Sequence, residues 1–412
     1  MGKKSTKKTK KKQSLFKPRK IKIRVVGLGG GGSSIVSEMA QNLKGVSFLI
    51  ADTDARVFKK ARNKRIRVFQ FGQKLVGGMG TGLNPEIARK AAEEEKEKIA
   101  KIFKDQDLVI LVACLGGGVG SGAGPVFAEE AKNQRVITLG IFTLPFSFEG
   151  EKKMKIARGS LEKLRENLSA VLFVSNEKIF QLIDKKSPLK KALSALNKIF
   201  IDWLGDLIEV IQKPNLINID FADLRTILKN RGKLLFFSQG TAQGANRVEE
   251  LIKKLFQNPL FDAQLKGVKR ILFNIGGGKD LGLKEVERIS EAISRLNPRA
   301  KIIFGVSQSP NFKGKIKILM LAVSDSFIPG LERKAKRRLA STLTKRKAKP
   351  KRKEAKKKSS AKEIPIKKIE ARKKKTRRTA LEVKEAQEEQ NEKEWVREPE
   401  WEIPAFLRRK IK

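Results

Sequence analysis

The sequence predicts an α/β protein. It reads as a doubly wound, Rossmann-like domain, a long central helix and a smaller α/β domain with a mixed sheet, flanked by disordered basic tails. Three observations predict this. Short, β-branched, nearly continuous apolar runs alternate with helix-length segments, the rhythm of a mostly parallel sheet covered on both faces. Glycine-rich turns follow two of those runs and open helices. The basic excess is concentrated at the ends of the chain: residues 1–24 hold 12 Lys/Arg and no acid, and residues 331–380 hold 24 against 4 acids.

The predicted strands of the first part are 22–28, 47–51, 107–113, 135–142 and 170–174, with helices at 33–43, 85–103, 122–133 and 152–167 between them. Residues 187–212 keep apolar side chains at 3–4 spacing between Pro188 and Pro214, which predicts one long helix acting as a spacer between domains. Strands near 233–238, 269–275, 301–306 and 315–323, with helices at 242–256 and 283–295, make up the second part. The expected organisation is a tail at 1–20, a nucleotide-binding domain at 21–186, a central helix at 187–213, a second domain at 214–328, a linker at 329–398 and a terminal peptide at 399–412. The tails are too poor in large apolar residues to offset the entropy of ordering them.

Composition excludes several chemistries. The 412 residues carry 92 Lys+Arg against 44 Asp+Glu, a formal charge of +48, with no histidine and a single cysteine, Cys114. This removes Ser-His-Asp and Cys-His catalysis, His-ligated metals and any disulfide framework. No metal site built from the chain's own side chains is expected. No apolar run approaches the ~18 residues of a membrane span, and no apolar h-region follows the basic N-terminus, so a cytoplasmic protein is expected.

Gly27-Leu-Gly-Gly-Gly-Gly32 follows the first strand, and Asp52 ends the next one. Taken alone, this fits a dinucleotide-binding enzyme. Gly116-Gly-Gly-Val-Gly-Ser-Gly122 is a second glycine loop at a strand end, and two such loops in one sheet suit a longer phosphate chain gripped from two sides. Neither contains the Gly-Lys-Ser/Thr of a Walker motif. A third run, Gly77–Gly82, reads equally as a loop that wraps a terminal phosphate or as a plain linker. Asp220 and Asp223, three residues apart at a helix start, suit an N-cap and first-turn acid as well as they suit catalysis.

These motifs in this order resemble the bacterial tubulin-like division GTPases of the FtsZ family. Residues 116–122 resemble the tubulin signature, and Ile23 to Gly32 its first phosphate loop. Pro145-Phe-Ser-Phe-Glu-Gly150 resembles the ribose-side loop, and Asn218-Ile-Asp-Phe-Ala-Asp223 the synergy loop. Trp401-Glu-Ile-Pro-Ala-Phe-Leu-Arg-Arg409 is similar to the family's partner-binding peptide. The resemblance implies a GTPase that polymerises into the filaments of a cytokinetic ring, at the division site on the inner face of the membrane. GTP/GDP and Mg²⁺ are its implied cofactors.

Residue by residue, the resemblance gives Gly29, Gly30, Gly31, Gly32, Ser33, Gly116, Gly117, Gly118, Val119, Gly120, Ser121 and Gly122 to the phosphates. Gly80 and Gly82 lie over the terminal phosphate. Glu149 is implied at the ribose, Lys153 beside the phosphates, and Asn176 and Asn197 at the guanine. Asn218, Asp220 and Asp223 act catalytically on the neighbouring subunit's nucleotide. Ile403, Pro404, Phe406 and Leu407 bind a membrane-tethering partner of the FtsA kind. Ser34, Asp52, Val119 and Leu193 depart from the family's usual Asn, Asn, Thr and Phe. Ser34, Val119 and Leu193 leave open a tubulin-like structural filament with weak or no GTPase activity. The tails are expected to associate weakly with anionic membrane or nucleic acid through charge alone.

Overall fold

A computed structural model describes residues 19–324 other than 61–62, 185 and 258–267. The 329–398 linker and the 399–412 peptide, with Ile403, Pro404, Phe406 and Leu407, lie outside the described residues, as does the N-terminal tail to residue 18. Arg19 is described, and it ion-pairs with Asp107.

The first part runs β1 (Ile23–Leu28), α1 (Gly29–Asn42), β2 (Ser47–Asp52), α2 (Ala55–Lys60), β3 (Ile66–Gln70), α3 (Gln73–Val76), α4 (Pro85–Glu93) and α5 (Lys96–Phe103). It continues through β4 (Leu108–Cys114), α6 (Gly118–Asn133), β5 (Ile137–Leu144), α7 (Glu151–Arg165) and β6 (Ala170–Ser175). Helices α8 (Leu189–Gln212) and α9 (Phe221–Ile227) follow. The rest is β7 (Lys233–Gln243), α10 (Arg247–Phe256), β8 (Arg270–Gly277), α11 (Leu283–Leu296), β9 (Lys301–Gln308) and β10 (Lys315–Ser324).

Among the described residues, all ten strands join one sheet in the order β3-β2-β1-β4-β5-β6-β7-β10-β8-β9. The pairs from β3 to β7 are parallel, and β10 runs antiparallel to both β7 and β8. The strand order reverses at β1/β4, the topological switch point where ligands bind outside the carboxyl ends of the strands. Apolar side chains of β1 and β4 are almost wholly buried, because α1 and α8 cover one face and α4 to α7 the other.

Both glycine loops were expected to precede their helices, yet they form the first turns. The first helix begins at Gly29 rather than 33, and α6 at Gly118 rather than 122. Tertiary contact decides this. A Cβ at Gly31 would strike Cys114, one at Gly32 the Val112 carbonyl, and one at Gly122 the Pro85 carbonyl. These glycines let helices sit directly on strands and on each other, which offsets their poor helix propensity.

Other boundaries also moved. The expected helix 85–103 is two, broken at Glu94–Glu95, where the Glu95 carboxylate leaves the helical pattern to accept from Gly72 N–H at 3.0 Å. Strand β3 was not expected, because this five-residue edge strand is short and only partly buried, with Arg67 and Gln70 among its apolar residues. Strand β7 continues to Gln243, so the helix expected from 242 starts at Arg247.

The expected spacer helix α8 instead lies on the sheet. Its Leu196, Phe200, Trp203, Leu204, Leu207 and Ile211 form one buried stripe at 3–4 spacing. The Trp203 ring lies 4.9 Å from Phe237 of β7, and Lys317 of β10 ion-pairs with Asp206 at 2.6 Å. Removing the indole would cost about 3–5 kcal/mol by leaving a cavity. Between β6 and β7 the ladder has only two residue pairs, Ala170↔Lys233 and Val171↔Leu234. Arginines reinforce this seam: Arg165 Nε donates to Gly232 O at 2.8 Å, and Arg231 donates to Asn167 O.

Candidate functional site

A cleft of about 480 Å³ opens at the carboxyl ends of β1 and β4. Its floor is two helix N-termini, those of α1 and α6. The first four N–H groups of a helix have no partner within it, and the aligned peptide dipoles place partial positive charge there. Neither helix has a side-chain cap or an acid in its first turn. Gly30 and Gly117 have open space where a side chain would stand, so a ligand can approach their backbone closely. Two uncapped N-termini converging on one cleft suit a polyphosphate, and the residues present therefore fit a nucleotide.

The loop before α6 is held by Ser121, whose buried Oγ accepts from Gly116 N–H at 2.8 Å. The 77–82 loop closes one side of the cleft. Its Thr81 is buried, and a Cβ at Gly118 would collide with the Thr81 hydroxyl.

Three acids line the cleft, and each is engaged within the chain. Asp52 Oδ1 accepts from the N–H groups of Thr53 (2.7 Å) and Asp54 (3.0 Å). Burial raises the Asp52 pKa against the lowering effect of those two bonds. Asp54 pairs with Arg56 at 2.8 Å. Glu149 accepts from Phe146 N–H and pairs with Lys153, both at 2.9 Å. The Cys114 thiol also lines the cleft, and burial pushes its pKa up, so it stays protonated at neutral pH.

A family model described as the GTPase domain of the Tubulin/FtsZ family matches residues 22–184, and one described as the FtsZ family C-terminal domain matches 235–324. The cell division protein FtsZ of Coxiella burnetii is 33% identical over 307 residues, which cover 74% of this chain and 79% of the relative. The chain belongs to the Tubulin/FtsZ family. Its namesake in Magnetospirillum gryphiswaldense is 36% identical over 306 residues, 74% of this chain and 54% of the relative. The solved FtsZ dimer of M. jannaschii matches at 33% identity with a TM-score of 0.66, covering 74% of this chain and 89% of that one. CetZ1 from Haloferax volcanii, at 19% identity, shares the fold with a TM-score of 0.67 over 78% of this chain and all of that one. As a member of the Tubulin/FtsZ family the chain is a tubulin-like, self-associating GTPase of cell division, which sets aside the dinucleotide-enzyme reading of the first loop.

Among the residues that the FtsZ resemblance singled out, the cleft is lined by Gly29, Gly30, Gly31, Gly80, Gly82, Gly116, Gly117, Gly118, Val119, Gly120, Glu149, Lys153 and Asn176. Gly32, Ser33, Ser121 and Gly122 lie behind it in the packing of the two helices. Asn197 is buried in α8 and is not among the lining residues. Asn218, Asp220 and Asp223 are also absent from the lining. Asn218 Oδ1 accepts from Asn215 N–H at 2.6 Å. Asp220 and Asp223 form a reciprocal capping box at the start of α9, each carboxylate accepting the other's N–H at 2.9 Å. Both remain partly or fully exposed.

Sequence reading missed Thr53, Asp54, Arg56 and Leu83, all of which line the cleft; Thr81, which also lines it, lies within the 77–82 run read as a possible phosphate loop. The Asp-Thr-Asp run after β2 was the one available signal, as an acidic cluster at a strand's carboxyl end.

Proposed function

We propose that this chain polymerises head to tail, and that GTP held in the glycine cleft of one subunit is hydrolysed with the help of carboxylates at the start of α9 of the next. One observation carries the reading. Among the described residues, the three acids that line the cleft are engaged by neighbours in their own chain, whereas Asp220 and Asp223 lie outside the lining, each with one carboxylate oxygen in the capping box and a side chain that is partly or fully exposed. A cleft that binds phosphate without an acid available to position water is completed when a second copy brings one. A head-to-tail contact of this kind is heterologous and open, so it propagates as a filament rather than closing.

In this reading the backbone N–H groups of Gly29–Gly31 and Gly116–Gly120 cradle the phosphates. Gly80 and Gly82 lie over the terminal one. Glu149 turns to the ribose, which frees Lys153 for the phosphates, and Asn176 and Asn197 pair with the guanine edge. Gly32, Ser33, Ser121 and Gly122 hold the two helices in place. Asp220 and Asp223, with Asn218, orient the attacking water, since phosphoryl transfer depends on positioning and charge neutralisation. Mg²⁺ on the β- and γ-phosphate oxygens supplies part of that neutralisation. Residues 21–186 then form the binding part, 187–213 the helix between, and 214–328 the activating part.

Ile403, Pro404, Phe406 and Leu407 dock on a membrane-tethering division protein, which brings the filament to the inner face of the membrane at the division site. The basic tails add weak, salt-dependent attraction to polyanions. Deleting residues 400–412 should leave assembly in vitro intact and abolish localisation in cells, read by fluorescence microscopy. Localisation of the truncated chain would refute the docking role.

The test of the central reading is phosphate release as a function of protein concentration. Activity per molecule should rise with concentration. Asp220→Asn and Asp223→Asn keep the cap, since an amide oxygen accepts the same N–H, but remove the carboxylate. They should bind GTP as wild type does and lose turnover about 10²-fold. Constant activity per molecule on dilution, with full-rate variants, would sink the shared site.

A further inference from the structure

Arg56 lines the cleft, and the reading above gives its guanidinium no role. Among the described lining residues the side-chain cations are Arg56 and Lys153, against the acids Asp52, Asp54 and Glu149. The lining is therefore short of positive charge for a polyphosphate. Lys153 is paired with Glu149. Arg56 belongs instead with the 77–82 loop, because the two segments are stitched together. Ala55 N–H donates to Gly78 O at 3.1 Å, Asp54 and Met79 form an isolated β-bridge, and a Cβ at Gly80 would meet the Asp54 side chain at 3.5 Å.

The guanidinium is held before any ligand arrives. Asp52 Oδ1 fixes the turn by accepting from the N–H groups of Thr53 and Asp54. Asp54 Oδ1 accepts from the backbone N–H of Arg56 at 2.8 Å and from its Nε at 3.0 Å, while Oδ2 accepts from Nη2 at 2.8 Å. A guanidinium has five N–H donors in a planar fork, and this grip uses one edge of it. The other edge, Nη1 with the outer N–H of Nη2, bonds nothing among the described residues, and the side chain is 76% exposed. An ion pair this exposed adds little to stability, so folding alone does not account for it.

We propose that Arg56 recognises the terminal phosphate of the bound nucleotide: Asp54 holds one edge of the guanidinium, and the other edge donates two N–H bonds to the γ-phosphate. The inference rests on the reading of the cleft as a GTP site with Gly80 and Gly82 over the terminal phosphate, and it adds what tells a triphosphate from a diphosphate. The planar fork matches two oxygens of one phosphate, and its full charge supplements the partial charges of the two helix N-termini. Val119, in the first turn of α6, brings no side-chain donor of its own. Asp54 keeps its partner throughout, so it acts as a positioning residue and stays engaged.

The experiment measures binding of GDP and of the β,γ-imido analogue of GTP, which keeps the γ-phosphate without being hydrolysed, to the full-length chain. Arg56→Ala should weaken binding of the analogue about 10–100-fold, the scale of one lost charge-assisted contact. Its affinity for GDP should change far less, which also shows that the variant is folded. Arg56→Lys keeps the charge but not the fork, and should restore only part of the loss. An equal loss for both nucleotides overturns the proposal, since it would mark Arg56 as a general counter-charge. Wild-type affinity of Arg56→Ala for the analogue overturns it too, and returns the arginine to a solvated ion pair; in both cases wild type still binds and the cleft reading stands. If wild type binds neither nucleotide, the cleft reading itself fails, and the role of Arg56 with it.

Discussion

The glycine cleft and the start of α9 are complementary in what they lack. The cleft offers unpartnered backbone donors from two helices, and its acids Asp52, Asp54 and Glu149 are each engaged by a neighbour. The start of α9 offers two accessible carboxylates and no cradle, because its first-turn N–H of Asp223 is already capped by Asp220. In the proposed reading, one region binds phosphate and the other acts on it. The difference teaches how hydrolysis can be made to wait for assembly: the two halves of the chemistry sit in different parts of the fold.

The largest expected effect tests that division directly. Mixing excess Asp223→Asn chain into wild type should suppress turnover of the wild-type sites, because a site capped by a variant neighbour has no carboxylate. Phosphate release should fall faster than dilution alone explains. A strictly proportional decline would return the carboxylates to a purely capping role.

The second test separates glycines that pack from glycines that bind. Gly32→Ala and Gly122→Ala place a methyl against a backbone carbonyl and should each cost about 2–3 kcal/mol, seen as a lower Tm. Gly30→Ala and Gly117→Ala meet open space and should leave Tm unchanged while weakening GTP binding. Equal Tm losses at all four would mean that the loops are packing devices throughout.

The smallest effect concerns Asp52. Its Oδ1 bonds survive in Asp52→Asn, while a buried negative charge beside the phosphates disappears. GTP affinity should rise about 3–10-fold, the scale of one partly screened charge removed. Stability should rise too, with a definite pH dependence. The folded-state pKa is raised, so wild type is penalised at neutral pH, and the penalty fades as pH falls through that pKa toward the ordinary 3.8. The Tm gap between variant and wild type should therefore be full at pH 7 and close at acid pH.

Much of this was written in the chain itself. The buried parallel strands are continuous apolar runs such as Leu108–Cys114, and no alternative packing accommodates them. The glycine loops announced phosphate chemistry because only glycine lets backbone donors approach a ligand so closely. What the sequence could not yield were features set by contact at a distance. The glycines of 29–32 and 118–122 look like loop and are helix, because strand β4 and helix α4 lie against them. The long helix has the periodicity of any amphipathic helix, and the sheet residues it meets, among them Phe237 and Lys317, decide that it is packed along its length. Arg56 and Leu83 reached the cleft without a local pattern, since lining depends on where loops fold back.

By itself the sequence determined the alternation of strand and helix, the two phosphate loops and the pair of acids at 220 and 223, because each rests on local spacing and residue type. Only the tertiary structure decided that the ten strands share one sheet, that the cleft's own acids are all engaged, and that the α9 pair is absent from the cleft lining. Those are facts about which distant groups meet, and a hydrogen bond or an ion pair forms only between groups that folding has brought within about 3 Å.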